Sequence, residues 1–235
     1  MSIEANIARV RQAMDQACLR AGRDPAGVRL IAVSKGHPPQ AVEEAFRAGI
    51  SLFGENKVQE GRAKIPLCSS RITWHMIGHL QTNKVRDALG FFSVIQSVDS
   101  LRLAEEIHRL AERQAKTAKI LLEVNVAGEG SKFGYRPAQL VEEIRGVSAL
   151  KRLEIHGLMT IAPWSTDSER VRPFFRSLRE LRSRCEDLLG YPIPELSMGM
   201  SGDFGVAIEE GATMVRIGTA IFGARPRRLD REEQA

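Results

Sequence analysis

Leu30-Ile31-Ala32-Val33-Ser34-Lys35, followed by Gly36-His37-Pro38-Pro39, is the stretch from which the fold can be read. A short apolar run, partly β-branched and closed by Gly and Pro, has the signature of a buried parallel strand. A lysine at the carboxyl end of such a strand sits where α/β folds build their sites. Apolar walls disfavour an ammonium ion and leave the amine available as a nucleophile towards a carbonyl carbon. Two readings of Lys35 stay open here: a side chain that leaves the strand for solvent, or an amine that forms a Schiff base.

Seven further runs of this kind follow. They are Ser51 to Asn56, Ile72 to Ile77, Phe92 to Val98, Lys119 to Val126, Leu153 to Met159, Glu195 to Met198 and Thr213 to Ile217. Each is followed by a helical pattern. Gln40 to Ala48 stops at Gly49, and Lys57 to Lys64 stops before Pro66. A segment around Asn83 to Leu89 comes next. Asp99 or Ser100 can cap a long helix reaching about Lys116. Pro137 opens the following one. Thr166 with Glu169 forms a capping box, although Pro173 inside that helix offers a later start. The apolar stripe there is Phe174, Leu178, Leu181, Cys185 and Leu188. Phe204 to Glu210 and Thr219 to Phe222 complete the series. Ahead of it all, Ile3, Ile7, Val10, Met14, Ala17 and Cys18 line one face of a lead-in helix over residues 3–22. Eight strand–helix units predict an α/β protein with a single (β/α)8 barrel and an extra N-terminal helix. The expected boundaries are a barrel over 1–223 and a charged tail over 224–235. An open doubly wound sheet is the alternative, but no GxGxxG follows the first strand.

Composition narrows the function classes. With 34 Lys+Arg against 29 Asp+Glu, the net charge is +5, yet the arginines are scattered among acids. The one basic run, Arg225-Pro226-Arg227-Arg228, is followed at once by Asp230, Glu232 and Glu233. This lacks the aromatic-interleaved basic face of a nucleic-acid binder. Cys18, Cys68 and Cys185 are far apart, with no CxxC, which argues against disulfides and zinc and fits a reducing compartment. The N-terminus has no signal-peptide pattern and no apolar run reaches membrane-spanning length. The expectation is a cytoplasmic protein that meets neither membrane nor nucleic acid. It is a monomer on this reading, since no apolar stripe is left unexplained.

In a barrel the strand ends bring Lys35, Asn56, His75, Asn125, Met159, Ser197 and Arg216 to one mouth. Each also has a plain structural reading: a packed histidine, asparagines bonding loop backbone, a core methionine. Ser197-Met198-Gly199-Met200-Ser201-Gly202-Asp203 supplies hydroxyls and uncovered backbone donors. Arg216-Ile217-Gly218-Thr219 opens a short helix directly after the eighth strand. This is where barrels commonly hold phosphate. A glycine turn with an N-cap threonine is the other reading. An amine on one side of the mouth and a phosphate cup on the opposite rim suggest a phosphorylated aldehyde, and pyridoxal 5′-phosphate (PLP) is the candidate.

Ala32 to Lys35, Phe53 to Glu60, Trp74 to Lys84, Gly157 to Met159, Leu196 to Asp203 and Val215 to Gly223 together resemble the pyridoxal phosphate homeostasis protein family (YggS/PROSC type), in order and over nearly the whole chain. The resemblance implies a barrel like the N-terminal half of alanine racemase, PLP fold type III, with PLP held as a Schiff base on Lys35. It implies that Ser201, Gly218 and Thr219 hold the phosphate, that Arg216 faces the pyridine nitrogen, and that Asn56 and Ser197 lie near the ring. It implies a role in vitamin B6 and amino-acid homeostasis, with PLP-dependent apoenzymes as possible recipients.

Arg216 bears on chemistry. A carboxylate there would keep the pyridine nitrogen protonated; an arginine accepts no proton and disfavours a second cation. A carrier without robust catalysis is therefore expected, with a weak amino-acid racemase or other PLP enzyme of this barrel type as the alternative. Racemases add a tyrosine base from a second domain, for which the residues after Gly223 leave no room. Tyr191 precedes the seventh strand, at the wrong end. Tyr135 follows the fifth strand on the site side, where it is a base or, more simply, packing.

Overall fold

The computed structural model describes residues 2–224, so the Arg225–Arg228 run and the acids after it lie outside the described residues. Eight parallel strands close into a barrel in chain order, which excludes the open-sheet alternative. They are β1 (Arg29–Val33), β2 (Leu52–Glu55), β3 (Thr73–Met76), β4 (Val94–Val98), β5 (Ala118–Glu123), β6 (Leu153–Met159), β7 (Glu195–Ser197) and β8 (Met214–Ile217). The last strand pairs with the first, Leu30 opposite Val215 and Ala32 opposite Ile217. The helices form the outer ring: α1 (Ile3–Arg20), α2 (Pro39–Arg47), α3 (Val58–Lys64), α4 (Val85–Phe91), α5 (Leu101–Arg113), α6 (Pro137–Ser148), α7 (Arg172–Leu189), α8 (Phe204–Glu209) and α9 (Thr219–Phe222).

Helix α1 begins where Ser2 accepts a hydrogen bond from the Ala5 amide at 3.2 Å, satisfying one of the orphan donors of a helix start. Its buried stripe is Ile7, Val10, Met14, Ala17 and Cys18, and it packs on α8, α9 and α2. Asn6 donates to the Ile221 carbonyl at 2.7 Å, tying α1 to α9.

The main core lies between strands and helices. A smaller one fills the barrel: Ile31, Leu121, Met159 and Met214, with Leu52 and Val94 against them. At one end of the barrel, Arg29 pairs with Glu195.

Several boundaries differ from expectation for identifiable reasons. The fifth strand stops at Glu123 because Tyr135 folds back on it. The Tyr135 amide donates to Glu123 O at 2.8 Å, and the Asn125 amide donates to Tyr135 O at 2.9 Å. Thr166 does not cap a helix. Asp167 instead accepts from the Glu169 amide at 3.0 Å and starts a single 3₁₀ turn over Ser168–Val171. Helix α7 then begins at Arg172 with Pro173 in its first turn, the later of the two expected starts. That start turns Phe175 fully inward and leaves Phe174 only partly buried, so the stripe shifts by one residue at its beginning.

Where β6 meets β7, a Cβ on Gly157 would lie 1.9 Å from the Glu195 carbonyl oxygen. Backbone cannot yield there without opening the sheet. Gly157→Ala should therefore cost about 3 kcal/mol or more; urea unfolding that leaves the midpoint unchanged would refute this packing.

Candidate functional site

The strand ends gather at one rim. After Val33 the chain makes a tight turn in which the His37 amide donates to Ser34 O at 3.0 Å and Gly36 has φ +76°. A positive φ at the third residue is what a type II turn requires. Lys35 is thus the second residue of a turn, partly buried rather than strung out into solvent.

Gly218 opens α9 beside this turn. A Cβ there would stand 3.3 Å from Val33 O, so the backbone after β8 lies close against the end of β1. The His37 ring stacks on Phe222 with centroids 5.0 Å apart. The Ala220 amide donates to Ser201 Oγ at 3.3 Å, which brings the loop after β7 to the start of α9. Asp203 Oδ1 accepts from the Met200 amide at 2.6 Å and shapes that loop. Ser201 is therefore drawn to the start of α9, where Gly218 and Thr219 stand, and this junction adjoins the Lys35 turn. The expectation of opposite rims is corrected: strands one and eight are neighbours, so the Lys35 turn and the start of α9 lie on one side of the mouth.

Beneath the mouth lies a buried polar layer. Arg216 donates from one terminal nitrogen to Ser197 Oγ at 2.7 Å and from the other to Thr160 O at 2.8 Å. Ser197 donates to Gln96 Oε1 at 2.6 Å. Gln96 Nε2 lies 2.8 Å from His75 Nδ1, which then accepts and carries its proton on Nε2. Burial and Arg29 push His75 down to about 3, so it is neutral at physiological pH. Burial lowers Arg216 to about 10, with Glu123 and Asp203 acting in the opposite direction, and it stays a cation. Glu123, at the end of β5, is raised to about 7 by burial and by Asp99, against the pull of Arg216.

The other expected residues are placed as follows. Ser197 is fully buried, with its hydroxyl engaged by Arg216 and Gln96, so it supports Arg216 from below rather than lining the open mouth. Asn56 follows β2, and its Oδ1 is buried with no hydrogen-bond partner among the described residues. Asn125 donates to the carbonyls of Glu129 and Lys132 at 2.8 and 3.2 Å and organises its own loop. Met159 belongs to the barrel core. Tyr135 is fully buried, and its hydroxyl has no partner among the described residues. Burial raises its phenol, and Glu143, Asp99 and Glu105 add to the effect. Buried in this way, the hydroxyl is that of a packed side chain. Tyr191 is half exposed, before β7. Burial raises all three cysteine thiols, and Cys18 and Cys185 are core residues. Among the described residues no cluster of metal ligands occurs, and no helix is long and apolar enough to cross a membrane.

Sequence reasoning missed Gln96, Glu123 and Lys64. Gln96 was detectable as a polar residue inside a strand that has to be covered on both faces. Lys64 is only 5% exposed and donates to Ser34 O, Glu55 and Glu60. Nothing in its position at a helix end announces that burial.

The fold and this mouth define a class: the alanine racemase N-terminal domain family matches residues 2–226. The alanine racemase of Clostridium difficile 630 superposes with a TM-score of 0.76 at 14% identity, over 97% of this chain and 58% of the racemase; that likeness concerns the fold alone. Within the class, the chain belongs to the pyridoxal phosphate homeostasis protein family. The Aquifex aeolicus member is 44% identical over 220 residues, covering 93% of this chain and 96% of its own. The Escherichia coli K12 member is 42% identical over 229 residues, covering 95% and 97%. PipY of Synechococcus elongatus, solved with PLP bound, superposes with a TM-score of 0.84 at 37% identity, over 94% of this chain and all of PipY.

Glu123 gives this site a pH signature. A buried carboxyl raised from 4.5 to about 7 keeps its proton in the folded state while the unfolded chain has lost it. Its favourable contribution is complete below about pH 4.5 and disappears as pH rises through 7, a change of about 3 kcal/mol. Glu123→Gln does not titrate. Its stability relative to the parent, measured by urea unfolding, should therefore rise by that amount between pH 4.5 and 8; a constant difference would contradict the burial of this group.

Proposed function

We propose that this protein binds PLP through Lys35 and serves intracellular PLP, vitamin B6 and amino-acid homeostasis as a carrier rather than as a robust catalyst. The observation that carries the reading is the adjacency of the Lys35 turn to the Ser201–Gly218–Thr219 cup across the closing β8–β1 pair. Lys35 would hold the PLP group through its amine, and the group would supply the aldehyde carbon for that bond, with one water released and no electrons exchanged.

The residues present suit such a group. At the start of α9 the Ala220 amide donates to Ser201 Oγ while the Ile221 and Phe222 amides donate to the Gly218 carbonyl, so phosphate oxygens would be met by the Ser201 hydroxyl and by Thr219. The absence of a side chain at Gly218 lets that backbone approach β1 closely. Asn56 offers a buried carbonyl oxygen that has no donor among the described residues. Arg216, held by Ser197 Oγ and the Thr160 carbonyl, would face the pyridine nitrogen as a cation.

When bound, PLP supplies an aldehyde and an electron-accepting ring. Arg216 weakens the second property, because it cannot supply the negative partner that stabilises a protonated ring nitrogen. The racemase alternative further needs a base, and Tyr135 is fully buried with its phenol raised by burial. We place the protein in the cytoplasm, acting as a monomer whose barrel and lead-in helix work as one unit. Apoenzymes that require PLP are its proposed recipients.

Mixing the protein with PLP should produce an imine absorbance band that Lys35→Ala abolishes; persistence of the band in that variant would remove Lys35 as the anchor. Ser201→Ala and Thr219→Ala should keep the band but weaken PLP binding by about tenfold each, the worth of one hydrogen bond to a charged group.

A further inference from the structure

The segment after β2 carries a buried ionic cluster that the binding of PLP does not call for by itself. Lys64 Nζ donates to Glu55 Oε1 at 2.6 Å, to Glu60 Oε1 at 2.9 Å and to the Ser34 carbonyl at 2.8 Å, which accounts for all three of its protons. Glu60 Oε1 also accepts the Gly36 amide at 2.6 Å. Ser34 Oγ donates to Glu55 Oε1 at 2.6 Å. Lys64 is 5% exposed and Glu55 not at all.

An apolar residue of similar length would fill the place of Lys64 at lower desolvation cost, since buried ion pairs seldom stabilise a fold better than a hydrophobic isostere. What the cluster supplies is direction. It grips the Ser34 carbonyl on one side of Lys35 and the Gly36 amide on the other. The Lys35–Gly36 peptide is the unit that flips between type I and type II turns. An acceptor fixed at Glu60 holds the Gly36 amide in one orientation, in keeping with the positive φ of that glycine.

We propose that Lys64 and Glu60 are positioning residues for Lys35, clamping the peptide groups on both of its flanks so that its amine meets an aldehyde without first ordering the turn. This rests on the Lys35 reading given above. The clamp acts on the covalent part of PLP binding and not on the phosphate cup, which belongs to β7, β8 and α9. It therefore separates two ligands that differ only at one carbon: PLP, with an aldehyde, and pyridoxine 5′-phosphate, without one.

The decisive variant is Glu60→Ala. Glu60 is 27% exposed, and Lys64 keeps Glu55 and Ser34 as partners, so the fold survives. PLP affinity should fall about tenfold, the loss of a charge-assisted hydrogen bond, while affinity for pyridoxine 5′-phosphate stays within about twofold. Glu60→Gln, which still offers an oxygen to the Gly36 amide, should recover most of the loss. Lys64→Met should show the same split between the two ligands if it folds; the Glu60 pair decides the matter if it does not. An equal fall for both ligands, or no fall for PLP, would overturn the clamp. Parent protein that binds pyridoxine 5′-phosphate but gives no imine band with PLP would overturn the Lys35 reading instead. Parent protein with a normal band and an unaffected Glu60→Ala variant would overturn the clamp alone.

Discussion

The pairing of β8 with β1 is the constraint from which the mouth follows. Two parallel strands present their carboxyl ends at the same rim, a few ångströms apart. The turn that carries Lys35 and the glycine that opens α9 are therefore neighbours by necessity. Gly218 permits the approach, the His37–Phe222 stack covers it, and Asn6 of the lead-in helix fastens α9 from outside. A barrel closed in any other strand order would hold the same residues too far apart to share one small molecule.

Two buried polar systems flank this junction, and they are built differently. Inside the barrel, Arg216, Ser197, Gln96 and His75 form a chain in which every donor points the same way, from a cation to a neutral imidazole. Such a chain holds one charge in place without titrating near neutrality. Outside the barrel, Lys64 sits between two carboxylates, and Glu55 is raised by burial although Lys64 and Ser34 oppose that rise. Its second oxygen has no partner among the described residues. The inner chain fixes what the ring of a bound aldehyde would meet; the outer cluster fixes the backbone that would deliver the amine.

Much of this was legible in the sequence because strands buried on both faces must be apolar and must end in turns. Leu30 to Val33, Ile120 to Leu122 and Met214 to Ile217 announce themselves in that way. The lysine at the end of the first run and the Gly-Thr pair after the last follow from the same pattern. Other features depend on tertiary contact and leave no local trace. Lys64 ends an amphipathic helix and reads as a solvated lysine; only the approach of β1 buries it. Tyr135 is next to a polar loop, yet its backbone bridges to the chain just after β5 and its ring is fully buried. Phe174 and Phe175 stand four and three residues before Leu178, so both border the same stripe, and only the packing at the start of α7 decides that Phe175 is the one fully buried. The neighbourhood of amine and cup was implied by closure itself, but it becomes evident only when the eight strands are counted around the ring rather than along the chain.

The most direct measurement is chemical. The protein is loaded with PLP, reduced with borohydride, digested, and its peptides weighed. This account expects one pyridoxyl group per chain, on the peptide carrying Lys35. A label found chiefly on another lysine, or none after a band has formed, would contradict it.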